Sequence, residues 1–160
     1  MPAHTHRHMP TAGRLVAAIV FGATGAAAAF VGIPTLPEGM IAGYLLPFST
    51  LVGVWLGWSL MGPKAGGRLS IAITQGIATV VVMVVMVIFF VAAWDMVERS
   101  MRLRYDGPGE AVLDTANLFW DYLQMMVRQP LMGPQPVLYV LAIGAIAGSV
   151  LINIAARIWK

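Results

Sequence analysis

The sequence predicts an all-α integral membrane protein, a four-helix bundle with an additional amphipathic interfacial helix between the third and fourth spans. Composition is the first observation, since 59% of the 160 residues are hydrophobic and 11% are charged. An ordinary soluble domain carries about 25% charged residues. The second observation is a set of four long apolar runs, and the third is the separation of acidic from basic loops. Together these features argue against a soluble domain.

The four apolar runs are each close to the ~20 residues that a helix needs to cross about 30 Å of hydrocarbon. None contains Asp, Glu, Lys, Arg or His, and they cover residues 15–33, 40–61, 71–94 and 137–154. The third run includes TVVVMVVMVIFFVAAW, which is longer than the roughly ten residues of a soluble strand. We therefore predict one membrane domain over residues 14–160 and a disordered cytoplasmic tail over residues 1–13.

The first run contains VFGATGAAAAF, which also resembles the phosphate-binding turn of a dinucleotide fold because Gly22 and Gly25 follow an apolar stretch. That fold needs an acidic residue about 20 positions later, after a second strand. The nearest acid is Glu38 in the turn PTLPEG, so we interpret the glycines as close-packing positions of a membrane helix. A cleaved signal peptide remains an alternative, because Arg14 and AAAA fit its pattern; the continuing apolar run favours a retained anchor.

Small residues recur in the second and fourth runs at a spacing that places them on one helix face. Gly53 and Gly57 form one G-x-x-x-G pair, and Gly144 and Gly148 form another. Such pairs let membrane helices approach closely. We predict that they pack the four helices against each other, with a docking face for another membrane subunit as the alternative.

The spans contain polar but no ionisable side chains, and Gln75 and Asn153 are expected to mark the bundle interior. Proton-coupled transport usually needs an intramembrane carboxylate or another ionisable group, so secondary active transport is disfavoured. The chain has no cysteine, which removes thiolate nucleophiles and Cys-based metal sites. Without a convincing nucleophile, base or metal constellation, we predict no enzymatic activity, no cofactor and no metal site.

The N-terminal MPAHTHRH carries three alternating histidines, His4, His6 and His8. Such a tract can bind a transition metal weakly, but a short polar terminus is disordered by default. Translation from Met9 would remove the histidines altogether.

Charge placement predicts the topology. With the N-terminus inside, the cytoplasmic segments hold six Lys/Arg and no acids, whereas the other side holds four Arg and seven acids. Cytoplasmic loops carry the Lys/Arg excess in membrane proteins. We therefore expect a multi-pass protein of the bacterial inner membrane with both termini cytoplasmic and the lipid bilayer as its main partner. The scattered basic residues form no stripe suited to nucleic acid.

The periplasmic segment is predicted to span residues 95–135. The pairs Asp95/Arg99 and Glu98/Arg102 have the i, i+4 spacing, with the acid first, that favours a helix. The third helix should therefore continue beyond the bilayer to about Arg104, where the turn chemistry of RYDGPG stops it.

An amphipathic helix is predicted after this turn, over about residues 109–128. Trp120 and Tyr122 are its expected interfacial anchors. Its polar residues fall at spacings of three and four and form a single stripe: Glu110, Asp114, Asn117, Asp121, Gln124 and Arg128. We expect the helix to lie along the outer membrane surface with its acids facing water, held by apolar burial against the bundle or against a partner protein.

Several short motifs follow one another over residues 9–160. The most distinctive is the candidate functional motif Arg104, Tyr105, Asp106, Gly107 and Pro108, followed by Glu110 and Ala111. The others are Met9-Pro-Thr-Ala-Gly-Arg-Leu15, Pro37-Glu38-Gly39, Gly57-Trp58, Met61-Gly62 and Ala65-Gly66. With these motifs in this order, the chain resembles the TrgA family of small alphaproteobacterial inner-membrane proteins, although the histidine-bearing extension departs from the family pattern.

The resemblance implies an association with tellurite resistance and supplies no catalytic residues. Arg99, Arg102, Arg104 and Arg128 could bind an oxyanion, but their acidic neighbours favour a structural network. We expect a non-enzymatic membrane protein of the tellurite-resistance type. The alternative is an accessory transmembrane subunit of a larger respiratory or photosynthetic complex, and a homo-oligomer also fits the glycine faces.

Overall fold

The computed structural model describes residues 11–35, 42–64, 68–101, 107–128 and 136–158. Over these residues the protein is all-helical. Its five α-helices are α1 (Thr11–Gly32), α2 (Ala42–Leu56), α3 (Leu69–Met101), α4 (Pro108–Arg128) and α5 (Pro136–Ile158). Helices α1, α3 and α5, together with α2 and its helical continuation, are long and apolar enough to cross a membrane. The prediction of an all-α bundle with four spans and an extra helix between the third and fourth is confirmed.

Helix α1 begins earlier than the predicted span. It starts at Thr11, so residues 11–13, which we assigned to the tail, are helical, while residues 1–10 lie outside the described part of the chain. A 3₁₀ turn over Ile33–Thr35 follows the helix. Ala17 and Phe21 of α1 are fully buried, because α1 packs against both α2 and α5.

Helix α2 is irregular, and its sequence explains why. Pro47 lies inside it and cannot donate an N–H to the preceding turn. The hydroxyls of Ser49 and Thr50 both donate to the carbonyl of Leu46, at 3.1 Å and 2.7 Å. The helix continues as a π-helical segment over Gly57–Met61 and a 3₁₀ turn over Gly62–Lys64. The second span is thus one apolar element built from three kinds of helix.

The pair Gly53 and Gly57 lies at the contact between α1 and α2. A Cβ on Gly53 would overlap the carbonyl oxygen of Phe21 and lie 2.8 Å from its carbonyl carbon. A Cβ on Gly57 would meet the carbonyl group of Ala17 in the same way. Since residue numbers rise on α2 as they fall on α1, the two helices are antiparallel. The absence of side chains at these two positions permits backbone-to-backbone approach.

The second glycine pair lies at the contact between α1 and α5. A Cβ on Gly144 would meet the side chain of Thr24, including Oγ1 at 2.7 Å, and one on Gly148 would lie 2.8 Å from Cγ1 of Val20. These two helices are also antiparallel. Unlike the first pair, the second pair faces side-chain atoms rather than the backbone of its neighbour.

Helix α3 is the longest element, with 33 residues. Its Gly76 lies against Ala145 and Ser149 of α5, which sets the register between the two helices. Beyond that contact, α3 continues for roughly 25 residues to Met101. The antiparallel α5 has only about 11 residues on the same side of the contact, between Pro136 and the contact itself. Helix α3 therefore extends about 20 Å past the first residue of α5. Helix α4 packs on this extension of α3.

Polar side chains inside the bundle are mostly satisfied by the backbone of their own helix. Thr24, Thr79 and Ser149 each donate to a carbonyl four residues earlier. Asn153 differs, because its side chain is 1% exposed and both amide atoms lack a hydrogen-bond partner among the described residues. Gln75, the other expected interior residue, is half-buried.

We expect Asn153→Leu to stabilise the bundle, because it removes two buried polar atoms that each cost about 1–3 kcal/mol when unsatisfied. The thermal unfolding midpoint in detergent should rise. Asn117→Leu is the matched control, since Asn117 is exposed on α4 and its replacement relieves no buried group. A lower midpoint for Asn153→Leu than for the wild type would show that the amide has a partner in the membrane.

Candidate functional site: a cavity beneath helix α4

Helix α4 begins as its sequence predicts. Pro108 is its first residue, where the missing N–H costs nothing and the fixed φ suits a helix. The N–H of Ala111 donates to the carbonyl of Gly107 at 3.4 Å. Of the candidate motif, Gly107 and Pro108 are therefore at the start of α4, whereas Arg104, Tyr105 and Asp106 lie outside the described residues.

The surface of α4 has three faces. One is docked on the bundle, with Leu118 only 7% exposed. A second is polar and exposed: Glu110, Asn117 and Asp121. A third face is apolar and exposed. It consists of Val112 (67% exposed), Leu113 (68%) and Trp120 (57%). The predicted amphipathic helix is present, but only part of its apolar surface is buried against the bundle.

The docked face of α4 runs antiparallel to the extension of α3. Asp114 is near Arg99, while Phe119, farther along α4, makes an edge contact with Phe89, with ring centroids 6.4 Å apart. Contacts thus move towards the start of α3 as residue numbers rise on α4. The prediction placed all the acids of α4 towards water, whereas Asp114 turns towards Arg99 of α3. Tyr122, the expected interfacial anchor, donates a hydrogen bond to Asp95, also of α3.

Four side chains join α4 to α3, and we call them the Asp95 network: Asp95, Arg99, Asp114 and Tyr122. Oδ2 of Asp95 accepts hydrogen bonds from Nη2 of Arg99 and from the hydroxyl of Tyr122, each at 3.0 Å. Nη1 of Arg99 lies 3.4 Å from Oδ2 of Asp114. The predicted i, i+4 pair of Asp95 and Arg99 is therefore formed, and a carboxylate from another helix joins it.

Of the four arginines that could form an oxyanion cluster, the structure describes the side chain of Arg99 alone. Arg99 contacts two carboxylates, as expected for a structural network. Arg102 and Arg104 lie outside the described part of the chain, as does the side chain of Arg128. Within that described part, no group of three or more His, Cys, Asp or Glu residues could hold a metal ion.

The hydroxyl of Tyr122 has a perturbed pKa. Burial is the largest cause, followed by the hydrogen bond to Asp95 and the negative charge of that carboxylate; together they raise the pKa from 10.0 to about 12, although Arg99 acts in the opposite direction. A group whose pKa is higher in the folded than in the unfolded protein stabilises the folded state at every pH below its unfolded pKa. The stabilisation is therefore complete below about pH 10 and is lost as the pH rises through about 12.

We expect the thermal unfolding midpoint to fall between about pH 10 and pH 12 because ionised Tyr122 would face the carboxylate of Asp95. Tyr122→Phe should start from a lower midpoint at neutral pH, having lost one hydrogen bond worth about 1 kcal/mol, and should show a shallower alkaline decline. Tyr139→Phe, at a largely exposed tyrosine, is the control. An alkaline profile that is identical in wild type and Tyr122→Phe would contradict the assignment.

Tyr122 also lines a cavity of about 190 Å³ to which all five α-helices contribute residues. One wall is the small-residue surface of α1, at Gly25, Ala28, Ala29 and Gly32. The opposite wall includes Met125 and Met126 of α4, and the remainder comes from apolar residues of α3 and α5, with Leu45 and Ser49 from α2. The cavity is partly open, and it lies where α1 ends and α5 begins.

The sequence predicts parts of this site but not the site itself. Gly25 is predicted as a packing position of α1 and α4 is predicted to have an apolar surface, yet no local pattern indicates that the two face each other across a space. Comparison with protein-family models, with curated proteins and with solved structures finds no match to this chain. The site is therefore interpreted from its own residues.

Proposed function

We propose that this chain is a small non-enzymatic protein of the bacterial inner membrane that contributes to tellurite resistance, as its resemblance to the TrgA family implies. The observation that carries the proposal is the motif Arg104 to Pro108 with its trailing Glu110 and Ala111. This motif connects α3 to α4, two helices that the Asp95 network fixes to each other. Because α3 and α4 are joined, both ends of the motif are held at a fixed distance from each other.

Deletion of the gene tests this proposal. We expect tellurite tolerance to fall while the amounts of the respiratory complexes stay unchanged. Complementation with wild type should restore tolerance, whereas Arg104→Ala and Asp106→Ala should not. Asp121→Ala, an exposed acid on α4, is the matched control, and immunoblots of membranes check that all variants accumulate equally. Full complementation by both motif variants would show that the motif is not a working site.

We also propose that both termini are cytoplasmic and that α4 lies on the periplasmic side. The support is the charge distribution, with six Lys/Arg and no acids on the proposed inner side. Reporter fusions after Asp114 and after Lys160 should report opposite compartments. The same compartment for both fusions would reject this topology.

The second candidate function is an accessory subunit of a larger membrane complex. It is favoured by one observation, the exposed apolar face of α4 formed by Val112, Leu113 and Trp120. Native electrophoresis after extraction in a mild detergent should then show the chain migrating with a large complex of defined composition. The variant Leu113→Ser with Trp120→Ser should migrate alone, while Asn117→Ser, on the polar face, should not change migration.

A further inference from the structure

The lining of the cavity is almost entirely hydrocarbon and thioether. Ser49 and Tyr122 contribute the only side-chain oxygens among its described lining residues, and both hydroxyls already donate hydrogen bonds, to the carbonyl of Leu46 and to the carboxylate of Asp95. A stable buried water needs two to four polar partners. This lining offers water at most two acceptors and no free hydroxyl donor, and the rest of it favours an apolar occupant.

The cavity has room for a short hydrocarbon segment, and one of its walls runs along α1. Its volume of about 190 Å³ is slightly larger than the apolar cavity of about 150 Å³ that accepts benzene. The small-residue wall repeats along one side of α1 from Gly25 to Gly32, which corresponds to a trough about 10 Å long. Because α1 is one of the spanning helices, this trough follows the direction in which lipid chains lie.

Three methionines allow the lining of the cavity to adapt to an occupant. Met83, Met125 and Met126 line the cavity, and the unbranched, polarisable methionine side chain fills irregular space and repacks readily. Leu138 of α5 also lines it and is 36% exposed, so the space reaches the surface of an apolar helix. A chain can thus enter from the bilayer without crossing a polar barrier.

We propose that this cavity binds one hydrocarbon chain of a membrane lipid, inserted along α1 and covered by the end of α4. Two sources carry this chemistry, a phospholipid acyl chain and the tail of an isoprenoid lipid. An unfilled space would cost the lining residues their dispersion contacts, and hydrocarbon from the surrounding bilayer restores them. The proposal concerns the cavity alone and does not depend on a role in tellurite resistance.

Photolabelling of the full chain tests the proposal and separates the two sources. The protein is reconstituted in vesicles of phosphatidylethanolamine and phosphatidylglycerol that contain either a phospholipid with a diazirine in its acyl chain or an isoprenoid alcohol with a diazirine in its tail. After illumination, labelled residues are mapped by mass spectrometry. We expect at least one probe to label Met125, Met126 or Val87 more strongly than Leu113, which lies on the exposed apolar face of α4. Labelling by either probe supports the site, and the probe that labels it more strongly identifies the source.

Two cavity variants change the labelling in opposite directions. Ala28→Leu places extra carbon atoms in the trough and should lower labelling of Met125 and Met126 about tenfold, which corresponds to a loss of 1.4 kcal/mol in binding. Met126→Ala enlarges the space and should increase labelling of Val87. Ala27→Leu is the matched control, since Ala27 is the exposed neighbour of Ala28 on α1. Helical content and the unfolding midpoint are measured for each variant.

The proposal is overturned if the cavity residues are labelled no more strongly than Leu113 by both probes. It is also overturned if Ala28→Leu, folded to the wild-type extent, leaves the labelling of Met125 and Met126 unchanged. Should Ala28→Leu fail to fold, the response of Met126→Ala decides, because that variant removes atoms and creates no overlap. Unchanged labelling of Val87 in Met126→Ala would then reject the site.

Discussion

Replacing Gly53 or Gly57 by alanine is expected to lower the free energy of unfolding by about 1–3 kcal/mol or somewhat more, the range for overpacking of a well-packed core. The new Cβ would overlap the carbonyl group of Phe21 or of Ala17. Backbone atoms of a neighbouring helix cannot rotate away, so α1 and α2 would have to separate along their contact. Titration of the purified protein with a denaturing detergent, followed by circular dichroism and the fluorescence of its tryptophans, measures the change.

The other glycines supply graded controls for this prediction. A Cβ on Gly148 would meet only the Cγ1 atom of Val20, at 2.8 Å, and one on Gly43 would meet nothing within 4 Å. We expect Gly148→Ala to cost less than Gly53→Ala because a side chain can move. Gly43→Ala should be neutral or stabilising, since alanine favours a helix over glycine by up to about 1 kcal/mol. Equal effects at Gly43 and Gly53 would contradict the packing interpretation.

Removing the guanidinium of Arg99 is expected to release α4 from α3. Arg99→Met would leave the carboxylates of Asp95 and Asp114 facing each other without the cation that lies between them. The side chains are 33% and 29% exposed, so solvent screens part of this repulsion and the expected cost is about 1–2 kcal/mol. Amide exchange over residues 110–126 should accelerate about tenfold, the equivalent of 1.4 kcal/mol, while exchange in the core of α1 should stay unchanged.

A rescue distinguishes loss of the ion pair from general damage to the fold. Adding Asp95→Asn and Asp114→Asn to Arg99→Met removes the two opposed charges, and most of the protection of α4 should return. Asp121→Asn in the same background is the control, because Asp121 lies on the exposed polar face and should restore nothing. If the triple variant exchanges as fast as Arg99→Met, then charge repulsion is not what releases α4.

The architecture was predictable because lipid imposes a strong requirement on each span separately. A run such as residues 71–94 indicates a spanning helix without reference to any other part of the chain. The same holds for the beginning of α4, where Gly107 and Pro108 set the helix start locally. Helices whose formation depends on their own residues were therefore predicted correctly, apart from differences of a few residues at their ends.

The arrangement around the cavity could not be predicted because its causes are not local. Asp95 and Tyr122 form a hydrogen bond across 27 positions of sequence, and no periodicity within α4 indicates which of its polar residues has a counter-charge on α3. The polar stripe of α4 therefore predicts that Asp114 and Asp121 both face water. Of these two residues, Asp121 is exposed and Asp114 is half-buried. A space lined by residues of five helices likewise produces no sequence pattern in any one of them.

Helix α3 is longer than the hydrocarbon layer of a membrane is thick. Its 33 residues correspond to a rod of about 50 Å, whereas the hydrocarbon layer is about 30 Å thick. Pivoting this rod by about 10° at Gly76 would displace Arg99, together with the contacts it makes to α4, by about 6 Å. Helices adjust to thinner or thicker membranes by tilting. Because the Asp95 network joins α4 to α3, a change in the tilt of α3 would move α4 relative to α1 and α2.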